Sequence, residues 1–258
     1  MSALTQVASP DKTELRRKKA DLAALEQALA ENELLLSTYK GELHLFEKRY
    51  NQRVSVKYAE LDQVKAGILE LAARFFPNQQ EFQESARSAR EQANESAGEN
   101  EENQSASPQD KKFVPSENLR KLFREVAKKI HPDLTTDPKE RERRHDLMAR
   151  LNKAYDEMEE DKIRAILQEW EEGRHNEEEL GLGARLVKTI RKIAQARRRL
   201  ERIRLEIEQL QNSEMFKLKE RIEAAETEGR DIIGEMIAEI DEKIETVKAR
   251  VRKLALEV

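Results

Sequence analysis

Apolar residues recur at helical spacing along most of this chain, and the breaks in that recurrence divide it. Leu22, Leu25, Leu29, Asn32, Leu36, Tyr39, Leu43, Phe46 and Tyr50 alternate steps of three and four, which is the seam of a heptad repeat. The seam weakens at Arg53 and Lys57, resumes at Leu61, Val64, Ile68, Leu71 and Phe75, and stops at Pro77. Residues 11–76 therefore predict one helix of roughly 100 Å at about 1.5 Å per residue, or a hairpin bent at Gly41 or near Asn51. The seam fits two pairings, one within the chain and one between chains. Asn32 on the seam fits either register-setting or tolerance.

Residues 77–115 lose the pattern. Gln, Asn, Ser and Glu dominate, and between 78 and 110 eight acidic residues face two basic ones. Such a stretch predicts a solvated acidic linker without fixed structure, with the part near Glu81 to Ala93 as a candidate to prolong a helix.

Two short stripes follow. Leu119, Leu122, Phe123, Val126, Ala127 and Ile130 form the first, with Ser116 placed as its N-cap. Pro132 disfavours helical geometry at His131 and so ends it. After a loop holding Asp137-Pro138, the second stripe runs Leu147, Met148, Leu151, Ala154, Tyr155 and Met158. The two predict an antiparallel helical hairpin with His131-Pro132-Asp133 exposed at its tip. Ile163, Ile166, Leu167 and Trp170 predict a short covering helix, with Trp170 a packing residue. Gly173, Gly181 and Gly183 then mark a turn-rich stretch.

From 184 to 258 the helical period returns. Leu186, Ile190, Ile193, Leu200, Ile203, Ile207 and Leu210 lead to a possible break and cap at Asn212-Ser213. A second seam runs Leu218, Ile222, Ala225, Ile233, Ile237, Ile240, Ile244, Val247, Val251, Leu254, Val258. The first arm is basic and the second acidic. Opposite charge predicts an antiparallel hairpin turning at about 212, or pairing with a partner helix. Arg197-Arg198-Arg199 reads first as a solvated flank, and second as a contact for RNA or anionic lipid.

The sequence KLFREVAKKIHPD, residues 121–133, resembles helix II and the loop of a J domain, the co-chaperone module of the DnaJ family. MARLNKAYDEM, residues 148–158, resembles helix III. The similarity covers residues 116–160, under a fifth of the chain. It implies a module, residues 116–172, that stimulates the ATPase of a DnaK-type chaperone. By resemblance, His131, Pro132 and Asp133 engage that partner, and the basic face of Lys121, Arg124 and Lys128 docks on its acidic surface. Phe123, Ala127, Ile130, Leu151 and Tyr155 hold the hairpin. The family's first helix has no evident counterpart in NEENQSASPQDKKFVP. Three readings stand: that helix is missing, Phe113 and Val114 partly replace it, or an N-terminal helix takes its place.

Composition narrows the rest. The chain has 258 residues, 39% of them charged, with 8 Gly, 6 Pro, no Cys and a net charge of -4. That balance favours long helices over a globular α/β enzyme and gives no global nucleic-acid signal. Without Cys there is no disulfide or thiolate metal site; a cytoplasmic, reducing location is expected. The first residues lack a secretory h-region, and no run is long and apolar enough to span a membrane. No phosphate loop or nucleophile motif stands out, and His44, His131, His145 and His175 lie far apart. The expectation is therefore an all-α protein without enzymatic activity, cofactor or metal, in which long coiled-coil helices flank a J-domain-like hairpin. Its coiled coils would serve a client, a scaffold, a partner helix or self-association. The alternative is a coiled-coil scaffold or assembly subunit using the hairpin only for interaction. Nucleic-acid binding is weaker, because no aromatic is interleaved on the basic face.

Overall fold

A computed structural model describes residues 10–103, 113–172 and 181–256, with side chains described except at 99–103 and 253–256. Outside the described residues lie 1–9 of the N-terminal stretch, 104–112 of the acidic stretch, Gly173, His175 and Val258; the side chain of Leu254 does too. Among the described residues every regular element is helical, so the fold is all-α. The helices are α1 (Pro10–Tyr50), α2 (Val56–Phe75), α3 (Gln80–Asn103), α4 (Glu117–Ile130), α5 (Pro138–Asp156), α6 (Glu160–Glu172), α7 (Leu182–Asn212), α8 (Glu214–Thr227) and α9 (Ile232–Leu256). A π-helical turn, Asn51–Ser55, joins α1 to α2. The interruption expected near Asn51 is this wider turn, while Gly41 lies inside unbroken α1.

Capping explains several helix starts. The Ser116 hydroxyl accepts from the Leu119 N–H at 3.1 Å, and the Ser213 hydroxyl from Phe216 at 3.2 Å. The Asp137 carboxylate accepts from Lys139 at 2.8 Å, just ahead of Pro138. Each satisfies an N–H that has no partner within its helix.

The chain divides into two compact units: residues 1–41 with 113–212, and residues 42–112 with 213–258. In the first, α4 and α5 run antiparallel, with Phe123 and Tyr155 ring centroids 4.8 Å apart. Ile163, Ile166 and Trp170 of α6 are buried. The guanidinium groups of Arg143 and Arg144 sit over the Trp170 ring at 5.4 and 4.7 Å.

Beside this trio, α1 and α7 run in the same direction. Glu33 meets Arg199, and one heptad on Lys40 meets Glu206 at 3.6 Å, the same 166-residue separation. Leu22, Leu29 and Leu36 join Ile193, Ala196 and Ile203 in one apolar cluster. The α1 seam is thus filled within the chain. Of the two arrangements expected for the basic arm, this is the pairing with another helix, one of the same chain. The arm pairs with α1, in parallel, because its apolar positions complete the α1 seam and its cations meet α1 carboxylates.

In the second unit the acidic stretch departs from expectation. Residues 80–103 form helix α3 rather than an unstructured linker. Gln83 donates to the Ala73 carbonyl at 2.8 Å, and Ser96 to Asp62 at 3.3 Å, so α3 runs antiparallel to α2. Ala86 and Ala93, one heptad apart, are buried at 7% and 1% exposure. Small residues at that spacing permit close approach of two helices without a visible apolar stripe. Lys219, itself buried, bonds Glu42 and Glu223 at 3.0 Å each, and Arg49 meets Glu226 at 3.0 Å. Gly229, at φ +79°, turns the chain from α8 into α9. Ile233, Ile240 and Ile244 of α9 are buried, and Lys57 of α2 meets Asp241 at 2.9 Å.

Candidate functional site

The His-Pro-Asp loop begins where α4 ends. His131 has ψ 128°, the extended value that a following proline favours. Residues Pro132–Leu134 form one 3-10 turn. The Asp133 N–H donates to His131 Nδ1 at 3.1 Å. His131 Nε2 lies 3.0 Å from Glu33 Oε1 of α1. A ring nitrogen that accepts cannot also carry the proton, so these two bonds together fit the Nε2–H tautomer. Arg144 of α5 donates to the His131 carbonyl at 3.3 Å.

Glu33 is the hub. Arg199 of α7 grips its carboxylate with two nitrogens, Nε at 2.7 Å and Nη2 at 3.1 Å. The same guanidinium reaches Glu206 at 2.6 Å. Such a forked pair is among the stronger polar contacts. Burial pushes the Glu33 carboxyl up, but the bonds from His131 and Arg199 outweigh it and hold its pKa below the ordinary value. One heptad earlier on α1, Glu26 feels Lys192, Lys128 and Arg144. Burial exceeds their pull, and its pKa is raised. On the other side of the loop, Arg202 of α7 bonds the Asp133 carboxylate at 3.1 Å.

The tripeptide is therefore not exposed at a hairpin tip. His131 is 2% exposed, and Pro132 and Asp133 are half-buried. The cause is tertiary: α1 and α7 lie across the loop, and Leu134 enters their apolar cluster. An open cleft of about 350 Å³ remains beside it, lined by His131, Asp133, Arg141, His145, Asn152 and Arg202 among others.

The basic face sits apart from this contact for the most part. Lys121 and Lys128 are exposed, and Arg124 is half-exposed with Glu117 at 3.4 Å. Phe123, Ala127, Ile130, Leu151 and Tyr155 are all fully buried. Ahead of α4, Phe113 is buried with its ring edge-on to Tyr155 at 5.7 Å, while Val114 is 69% exposed. The α1 helix also reaches the hairpin. Thr38 and the Tyr155 hydroxyl share a hydrogen bond of 3.0 Å, and Ser37 donates to Asn152 at 3.3 Å. Both Phe113 and α1 thus pack against Tyr155.

Glu33, Ser37, Thr38, Arg199 and Arg202 were not singled out as site residues from the sequence. A signal for them exists. Ala30, Leu34, Ser37 and Gly41 make a second buried stripe on α1, beside the leucine seam. A helix with two buried stripes has two neighbours. The Arg197-Arg198-Arg199 run also reads differently in the fold: Arg197 and Arg198 are exposed, whereas Arg199 is the ion-pair partner of Glu33.

Among the described residues no group of three or more His, Asp or Glu is placed to hold a metal. No described helix is long and apolar enough to cross a membrane. No family model, curated protein or solved structure matches this chain.

Proposed function

We propose that the chain is a J-domain-type co-chaperone that stimulates the ATPase of a DnaK-type chaperone. The observation that carries this reading is the setting of the tripeptide. His131-Pro132-Asp133 ends a Ser-capped helix, α4, whose outer face carries Lys121, Arg124 and Lys128. That helix runs antiparallel to α5, with Phe123 and Tyr155 packed between them. In this reading the loop engages the ATPase, the cations of α4 orient the encounter, and ATP is handled by the partner. The paired long helices act as an intrachain coiled coil carrying the module, and leave client binding, targeting or self-association to other surfaces.

A second reading is favoured by one specific observation. The burial of His131 against Glu33 gives the tripeptide a role in holding the fold, as expected of a coiled-coil scaffold using the hairpin as an interaction module.

Single-turnover ATP hydrolysis by a DnaK-type chaperone of the same cell tests the two. Stimulation by the wild-type chain that His131→Gln abolishes supports the co-chaperone. Equal stimulation by both moves the activity to another surface. No stimulation by the wild type or by Glu33→Gln leaves the scaffold.

A further inference from the structure

We infer that α1, through its carboxylates, and α7, through Arg202, form a latch over the His-Pro-Asp loop, and that the latch must open before the loop can meet a partner. This rests on the co-chaperone reading and adds its regulation.

The elements that bury His131 are not those of the hairpin. Its ring is held by Glu33 of α1, and the carboxylate of Asp133 by Arg202 of α7. Neither helix adjoins the hairpin's two arms in sequence, and both could move without breaking the Phe123–Tyr155 core. The chemistry of α1 is also that of a competing partner. Glu33 meets His131 at 3.0 Å, and Glu26, one heptad earlier, feels the field of Lys128 and Arg144 at the end of the module besides that of Lys192 of α7. An acidic docking surface seeks the same groups. Two carboxylate-bearing surfaces cannot hold them together, so occupation by α1 excludes the partner.

The rim of the contact suits release. It is made by Arg202 with Asp133, while the polar pairs of Ser37 with Asn152 and Thr38 with Tyr155 lie further in. Arg202 is 60% exposed in its side chain, so water can replace that bond. The cleft beside the loop leaves His145 and Asn152 of α5 incompletely covered. Glu33 with Arg199 is the firm part, and its loss should shift the balance. If the open form is one molecule in about a hundred, the apparent affinity for the partner falls about a hundredfold.

The test uses the full chain in two opposite directions. Glu33→Gln with Arg202→Glu loosens the latch. Ser37→Cys with Asn152→Cys, 3.3 Å apart between the native side-chain oxygens and oxidised to a reductant-cleavable disulfide linker, locks α1 to α5; the chain has no other cysteine to interfere. Amide hydrogen exchange across 131–136 reads the loop, and single-turnover ATP hydrolysis reads the activity. The loosened variant should exchange at least tenfold faster there and reach half-maximal stimulation at a concentration at least tenfold lower. The locked chain should not stimulate until the linker is cleaved. A locked chain that stimulates as well as the unlocked one overturns the latch and leaves the co-chaperone reading standing. Fast exchange in the loosened variant with no stimulation by any form overturns the reading, and the latch with it. If the loosened variant loses helicity, the locked and cleaved chain decides alone.

Discussion

Glu33 and His131 are 98 positions apart in the chain and 3.0 Å apart between carboxylate oxygen and imidazole nitrogen. The contact joins a helix near the chain's start to a loop in its middle. Because Arg199 grips the same carboxylate, three segments meet on one side chain. Removing it should be felt by all three.

Glu33→Ala is expected to cost about 1–3 kcal/mol, since it leaves the buried His131 ring without its partner and the Arg199 guanidinium with Glu206 alone. Adding Arg199→Leu should recover part of that loss, because an apolar side chain beside Ile203 and Leu200 replaces a cation that has lost its forked partner. Denaturant unfolding of the two variants measures both effects. An unchanged midpoint for Glu33→Ala would remove this pair from the contacts that hold the fold.

The same carboxyl sets a pH dependence. Its pKa in the folded chain is below the ordinary 4.5, so the unfolded chain binds the proton more readily. The stability it contributes is therefore complete above about pH 4.5 and is lost as pH falls through the lowered value. Thermal melts between pH 6 and pH 3 should show this loss, and Glu33→Gln should flatten that part of the profile.

Gly41→Ala is expected to destabilise, against the usual trend for a helix. Alanine normally gains about 1 kcal/mol over glycine inside a helix. Here a Cβ would lie 2.6 Å from Cζ of Phe113, and overpacking typically costs about 1–3 kcal/mol. In a Phe113→Ala background the sign should reverse. A double-mutant cycle on the two positions checks it, and additivity would mean that they do not touch.

Much of this was legible beforehand, for physical reasons. Leucines and isoleucines at heptad spacing declared helices, and Pro132 and Ser116 declared where α4 ends and starts. What stayed hidden was tertiary. A heptad seam says that a helix has a partner, not which one, so the parallel match of Leu22, Leu29 and Leu36 with α7 could not be chosen over an antiparallel one. The α3 helix was anticipated only near Glu81 to Ala93 and not over its full length, because Ala86 and Ala93 are weak apolar signals within a polar sequence. The burial of His131 was missed because it depends on Glu33, a charged residue off the leucine seam. The hairpin's own core, by contrast, lies within one local stretch of pattern, from Phe123 to Tyr155.

The basic face of α4 offers a separate test. Changing Lys121, Arg124 and Lys128 together to Glu should leave stability within about 0.5 kcal/mol per site, as for exposed positions. The concentration giving half-maximal ATPase stimulation should rise, and the difference from wild type should shrink as salt increases, because exposed charges are screened beyond about 10 Å at 0.1 M salt. A defect that ignores salt would point to packing instead of steering.

The separation of 166 residues between Glu33 and Arg199 has a consequence for synthesis. The leucine face of α1 leaves the ribosome long before its mate exists. At about 5–20 residues per second, roughly ten to thirty seconds pass before α7 can emerge and cover it. During that interval the nascent chain carries an uncovered zipper strip and, once residues 131–133 are made, a His-Pro-Asp loop without its α7 contact, so it is at once sticky and unlatched, and only the arrival of α7 closes both.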